Sequence, residues 1–446
     1  MNDEGADLGH VGPGRYLSSD FGMLVSLKHK ESGMTRRLGW LGAVVIVGMS
    51  AVTIGAGAQT PVPKPVPALT GVPQFQPDSK WPILPADWRW GQVIGIFADA
   101  KGHVWTSSSG RISEWDTDGK LVQSWDARGP DGNWSTIHGM FVDHNGFVWT
   151  NARESNLTVK FTQKGQVALV IGKFNETGGS NDTTLMGRPS EIWVDAADNE
   201  VFIADGYGNR RVIVFDGATG KYLRHWGAYG KPPVDPQRGG GAGGGGGGRA
   251  GGGAATVPEA PPPQFSVPHG IAGSRDGLIY LADRANNRVQ VFRQNGEYVA
   301  EKILRPQCGA QEQATWTPKR PCGREAAFSI GFSHDVPQTY LYVADGGTHV
   351  ITVLRRKDLE VVSEFAGPGV GPGQLGRPHN LSVDPWGNIF VAEAAGSIMQ
   401  NPVTGEIQKQ AVQGQDIPPC DSRRTLLPEP CQAGHRAQKF RFVGTK

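Results

Sequence analysis

Pro268-His269-Gly270-Ile271 leads to Ile279-Tyr280-Leu281-Ala282-Asp283-Arg284-Ala285-Asn286-Asn287-Arg288-Val289-Gln290-Val291-Phe292. The stretch reads as a strand, a turn, a strand ending in Ala-Asp, a second turn, and an alternating Arg-Val-x-Val-Phe strand. A second full copy runs from Gly187-Arg188-Pro189-Ser190-Glu191-Ile192 to Ala204-Asp205-Gly206-Tyr207-Gly208-Asn209-Arg210-Arg211-Val212-Ile213-Val214-Phe215. An outer strand, Lys221 to Gly227, completes the unit, giving four short strands. Six such units begin near 90, 135, 187, 265, 326 and 376. Four strands per unit at this period predict an all-β, six-bladed β-propeller over residues 81–446. One blade cannot bury both faces of its sheet, so the ring must close. Lys439-Phe440-Arg441-Phe442-Val443 is the strand expected to help close it.

Outward from the repeat, 64 of 446 residues are glycine, about twice the usual share of ~7%. The net charge of +2 carries no nucleic-acid footprint. Residues 34–58 read as an export signal: a basic Met34-Thr35-Arg36-Arg37, an uncharged apolar run from Leu38 to Ile54, and small Ala56-Gly57-Ala58 before Gln59. Left uncleaved, 38–58 would anchor the chain in a membrane. Either way the body is expected outside the cytoplasm, periplasmic or secreted. Residues 1–33 form an N-terminal extension without pattern. A Pro-rich leader at 59–80 is expected to be extended and poorly packed. A Gly-rich run at 239–253, within an insert at 232–263, falls between units three and four and is expected to be a disordered loop. Export permits disulfides. Cys308 with Cys322 and Cys420 with Cys431 is the simplest of three connectivities.

Three histidines occupy one position of the repeat: His138 before Gly139, His269 before Gly270, and His379 before Asn380. They fall on every second unit, whereas the other units carry Ile94, Ser190 and Ser329 there. Alternate blades of a six-membered ring lie 120° apart, so three imidazoles would face one axis. That is a metal site with an open face. Tyr207 and Arg284 each follow the end of an inner strand in neighbouring blades. Positive charge beside a tyrosine favours phenolate, so Tyr207 is a candidate general base. Arg284 is a candidate carboxylate clamp.

The Ala-Asp and Asn-Arg-Val elements resemble NHL repeats. The site motifs resemble more narrowly peptidyl-α-hydroxyglycine α-amidating lyase: His138-Gly139, Phe265-Ser266-Val267-Pro268-His269, Pro378-His379-Asn380, Asp205-Gly206-Tyr207-Gly208-Asn209-Arg210 and Ala282-Asp283-Arg284-Ala285-Asn286. The resemblance implies zinc on His138, His269 and His379, a catalytic Tyr207 and an active-site Arg284. It implies a substrate, peptide or small molecule, ending in α-hydroxyglycine, and a separate hydroxylating monooxygenase as partner. It also implies a structural calcium near the Met140 carbonyl and Asn380. The chain departs from the pattern at three places. Ser109 stands where the family has an arginine, with Arg111 two residues on as the expected substitute. Asn380 replaces an aspartate. The family's disulfide cysteines are absent, as at Gly208 after the tyrosine. The rival readings are an exported, non-enzymatic NHL propeller that binds a protein, peptide or glycan, and a metal-assisted hydrolase on the same ring. For the hydrolase, channel-facing acids are few beyond Glu191 and Glu393.

Overall fold

The computed structural model describes residues 66–236, 261–305, 325–394 and 436–446 apart from 87, 89, 91 and 370; the strands Ile398–Gln400 and Ile407–Lys409 are described by backbone alone. Residues 1–33, the segment 34–58, the Gly-rich run at 239–253 and all four cysteines lie outside the described residues.

Six four-stranded antiparallel sheets follow one another around a ring. Their inner strands are Val93–Ala98, Ile137–Val142, Glu191–Val194, Pro268–Gly273, Ser329–Phe332 and Pro378–Val383. Each inner strand packs on the next, and the last packs on the first. Blades one to five are each built from consecutive strands. Blade six is not. Its third strand is Arg436–Thr445, as expected for the C-terminus. Its outer strand is Pro73–Pro77, paired along that C-terminal strand.

The leader reading is corrected here. Val66 already accepts a backbone hydrogen bond from Val336, and Leu69 donates to Asp335. Phe75 stacks on Phe365 at 4.6 Å between ring centres. Pro73–Pro77 and the C-terminal strand thus join in one sheet, and pulling the ring open requires breaking that strand pair.

The core is divided among the gaps between blades. Six apolar clusters are present, one for each pair of neighbouring sheets, including the gap between blades six and one. This is why the second strands are apolar on successive residues. Phe202 packs toward blade four and Ile203 toward blade two. A sheet covered on both faces has no solvent side to alternate with.

The Ala-Asp and Arg-Val signatures are structural. Asp205 accepts from Gly187 N, Asn209 Nδ2 and Arg211 Nε. Asp283 accepts from Ser266 N, Asn286 Nδ2 and Arg288 Nε. Both ion pairs are fully buried. They tie the end of a second strand to the loop entering the inner strand, the segment that carries the site. Breaking such a pair from one side leaves an uncompensated charge, costing about 3–5 kcal/mol.

Candidate metal centre

Each of the three histidines is the second residue of its inner strand, in blades two, four and six. In each strand the register to the neighbouring strand slips across the histidine. A residue at such a bulge is re-aimed out of the ladder, here toward the axis. His138 Nδ1 donates to the Ser190 carbonyl and His269 Nδ1 to the Phe328 carbonyl, both at 2.7 Å; His379 Nδ1 donates to the Ile94 carbonyl at 3.0 Å. A carbonyl only accepts, so Nδ1 carries the proton and Nε2 keeps its lone pair.

The close approach explains why glycine follows two of the histidines. A Cβ at Gly139 would stand 2.3 Å from the Ser190 oxygen, and one at Gly270 would stand 2.6 Å from the Phe328 oxygen. Those oxygens are the acceptors that orient the rings.

The imidazoles form a triangle with ring centres 4.8–5.1 Å apart. One nitrogen from each lies within 4.8 Å of the others. All three are buried. Burial, with nearby imidazole and arginine charge, holds their pKa values well below the usual histidine range. They are neutral at neutral pH, the state a metal ligand needs. Three neutral nitrogens converging on one point, two of them from residues lining a cavity, could hold a metal ion.

A second cluster, Asp99, His103 and Glu114, is equally compact but is explained without an ion. His103 Nδ1 pairs with Glu114 at 2.7 Å. Asp99 caps its turn and the Trp105 indole, as Asp143 does for the Trp149 turn in blade two.

Tyr207 reaches the same point. Its Oη lies 3.0 Å from His269 Nε2 and 3.3 Å from His138 Nε2, and accepts from Arg284 Nη1 at 2.9 Å. Arg284 pairs with Glu325 at 2.6 Å, leaving Asp283 to Arg288. His138, His379, Tyr207 and Arg284 line an open cavity of about 650 Å³, with Phe328 and Arg377 on its wall.

Arg111 does not join them. Ser109 and Gly110 form a tight turn with φ of 50° and 81°. Arg111 therefore lies on the next strand, exposed, with Nε on Ser124 Oγ of the outer strand. A shift of two residues keeps the same face only along one strand, and here the chain turns between the two. Arg153 stands in the site instead, its guanidinium 4.3 Å from the Tyr207 ring centre. A signal for it existed. Positions 153 and 284 each lie 15 beyond a ligand histidine, at 138 and 269. Both open a one-turn 3-10 helix closed by a left-handed asparagine, Asn156 or Asn287. Glu325, Phe328 and Arg377 were also not singled out.

The calcium residues fit poorly. Glu191 Oε1 accepts from Met140 N at 3.0 Å, and Asn380 Nδ2 donates to Glu191 Oε2. Burial pushes the Glu191 carboxyl up to about 8. One carboxyl held by the chain's own donors, beside an amide turned to face it, is sparse for an ion that takes six to eight oxygens. The Asp-to-Asn departure at Asn380 is matched by a carboxyl from blade three, and no calcium role is assigned.

Comparison with known proteins finds the repeat and distant relatives. The NHL repeat family matches residues 265–292. A mouse (Mus musculus) protein named peptidyl-glycine alpha-amidating monooxygenase is 28% identical over 137 residues, covering 30% of this chain and 11% of that protein. The chain thus spans about a tenth of that relative's length. Human (Homo sapiens) NHL repeat-containing protein 3 is 23% identical over 259 residues, covering 54% of this chain and 57% of that protein. A solved streptogramin B lyase structure superposes with a TM-score of 0.43 at 15% identity, over 71% of this chain and 94% of the other. The chain is an all-β, six-bladed propeller that carries an NHL repeat, with three inward histidines on alternate blades.

Proposed function

We propose that the chain is a zinc-dependent carbon–nitrogen lyase that splits an N-acyl- or peptidyl-α-hydroxyglycine into an amide and glyoxylate. The observation that carries the reading is the meeting of three neutral histidine nitrogens, the Tyr207 hydroxyl and Arg284 at one floor of one cavity. Likeness to a protein named for peptide amidation supports it. A propeller that only binds a partner across its face has no use for three oriented, deprotonated Nε2 atoms on its axis.

Zinc on His138, His269 and His379 would supply Lewis acidity to the hydroxyl oxygen of the reacting carbon. The remaining steps belong to the chain. Tyr207 Oη takes the proton of the substrate hydroxyl. The carbon–oxygen double bond forms as the carbon–nitrogen bond breaks, and the departing amide nitrogen receives the proton. The proton count closes on Tyr207, and neither water nor an oxidant is consumed. Arg284 holds Tyr207 in place through Nη1, and its Nε has no hydrogen-bond partner among the described residues. That N–H and Arg377 would receive the substrate carboxylate. The reaction that supplies such a substrate is hydroxylation of an N-acylglycine, work for a separate monooxygenase. An exported location, set by residues 34–58, belongs to the same proposal.

The test is incubation of the purified chain with N-benzoyl-α-hydroxyglycine. Glyoxylate and benzamide should appear in equal amounts, well above the spontaneous rate. Spontaneous breakdown alone, from folded and zinc-supplied protein, would remove the lyase reading.

A further inference from the structure

The cavity holds more positive charge than one carboxylate needs. Glu325 binds both Arg284 and Arg377, at 2.6 and 2.7 Å. These two guanidiniums lie 4.2 and 5.3 Å from the Phe328 ring centre. Across Tyr207 the same device recurs. Glu154 binds both Arg153, at 2.6 Å, and Arg188, at 2.5 Å. These two guanidiniums lie 4.3 and 6.0 Å from the Tyr207 ring centre. Four guanidiniums against two carboxylates leave two positive charges. The rim arginine, Arg128, is already paired with Asp126. Among the described residues lining this cavity are Arg153, Arg284 and Arg377 but no aspartate or glutamate.

The free donors point the same way. Arg153 Nε and Arg284 Nε are both buried without a hydrogen-bond partner among the described residues. A buried N–H left unpaired is costly, and a carboxylate oxygen that reaches it removes that cost. The hydroxyglycine carboxylate can neutralise one clamp only. Arg153 and Arg284 both lie within 6 Å of the Tyr207 ring centre, so both clamps border the candidate base.

We infer that the cavity takes a dianionic substrate, with one carboxylate on Arg284 and Arg377 and a second anionic group, at the acyl end, on Arg153 backed by Arg188. A small N-acyl-α-hydroxyglycine with an acidic acyl group fits better than a neutral peptide. This deepens the lyase reading and rests on it for the identity of the first anion. Glu154 takes up one of the two charges of the second clamp and leaves the other. Burial opposes its ionisation, yet the Arg188 hydrogen bond and the charges of Arg153 and Arg188 hold it below the usual carboxylate range.

The experiment is calorimetric titration of the full chain with glutarate and with butyrate, for the wild type and Arg153→Met. Glutarate should bind the wild type about tenfold tighter or more, since the second carboxylate gains charge-assisted hydrogen bonds. In Arg153→Met that preference should vanish, and Arg153→Lys should recover part of it. Circular dichroism and zinc content check that each variant is folded. Equal affinities in the wild type, or a preference that survives in folded Arg153→Met, would overturn the inference. Glyoxylate release from N-succinyl- and N-acetyl-α-hydroxyglycine runs in parallel. A glutarate preference without glyoxylate from either compound leaves the dianion site standing and removes the lyase. Equal release from both compounds without a glutarate preference does the reverse.

Discussion

Replacing His269 by alanine is expected to abolish glyoxylate release and strip the metal. His269 is fully buried, and its Nδ1 is already committed to the Phe328 carbonyl, so its only free lone pair is the one aimed at the axis. With two histidines left, the donor set falls below the three protein ligands of a catalytic zinc. Lewis-acid assistance to such a reaction is worth several kcal/mol. The expected loss in kcat/KM is therefore about a thousandfold or more, at ~1.4 kcal/mol per tenfold. The variant should still fold, because it removes one imidazole and two hydrogen bonds from a ring closed by six apolar clusters. Metal content by mass spectrometry and turnover of N-benzoyl-α-hydroxyglycine, read on the same sample, check the result. Retained turnover in a folded His269→Ala protein would remove the metal from the reaction.

Tyr207→Phe separates proton transfer from metal binding. The ring stays beside Arg153 and Arg284, and only the hydroxyl at 3.0 Å from His269 Nε2 is lost. Zinc content should be unchanged, because the histidines are oriented by backbone carbonyls and not by the tyrosine. The value of kcat should fall by about 10²–10⁴, the usual contribution of a positioned acid–base group. A fall of only a few-fold would show that Tyr207 shapes the cavity and moves no proton.

The ring and its axis were legible in the sequence because the repeat carries them. His138, His269 and His379 share one repeat position, and alternation in sequence became a triangle in space. Tyr207 and Arg284 were legible because each follows an Ala-Asp strand end. Arg153 was not, because Ala152 replaces the aspartate that marks that end in blades three and four. The aspartate is a fold clamp for Arg211 or Arg288, so blade two could lose it and keep the arginine. Arg111 misled for the opposite reason. It is close in sequence to the expected position, but a left-handed Ser109-Gly110 turn separates the two. The outer strand of blade six was hidden by its partner, which lies at the far end of the chain, Pro77 facing Phe440. Prolines at both ends of Pro73–Pro77 read as linker, yet an edge strand tolerates them. Asn380 read as a weakened calcium ligand because the carboxyl that meets it, Glu191, comes from a blade 189 residues earlier.

The central claim is that three histidines from alternate blades hold one zinc. Metal analysis with X-ray absorption at the zinc edge tests it most directly. The expected result is one zinc per folded chain, with three imidazole nitrogens at about 2.0–2.1 Å, and none in a His138→Ala, His269→Ala, His379→Ala triple variant. A folded wild-type chain that takes up no zinc, or a triple variant that binds it equally, would contradict the claim.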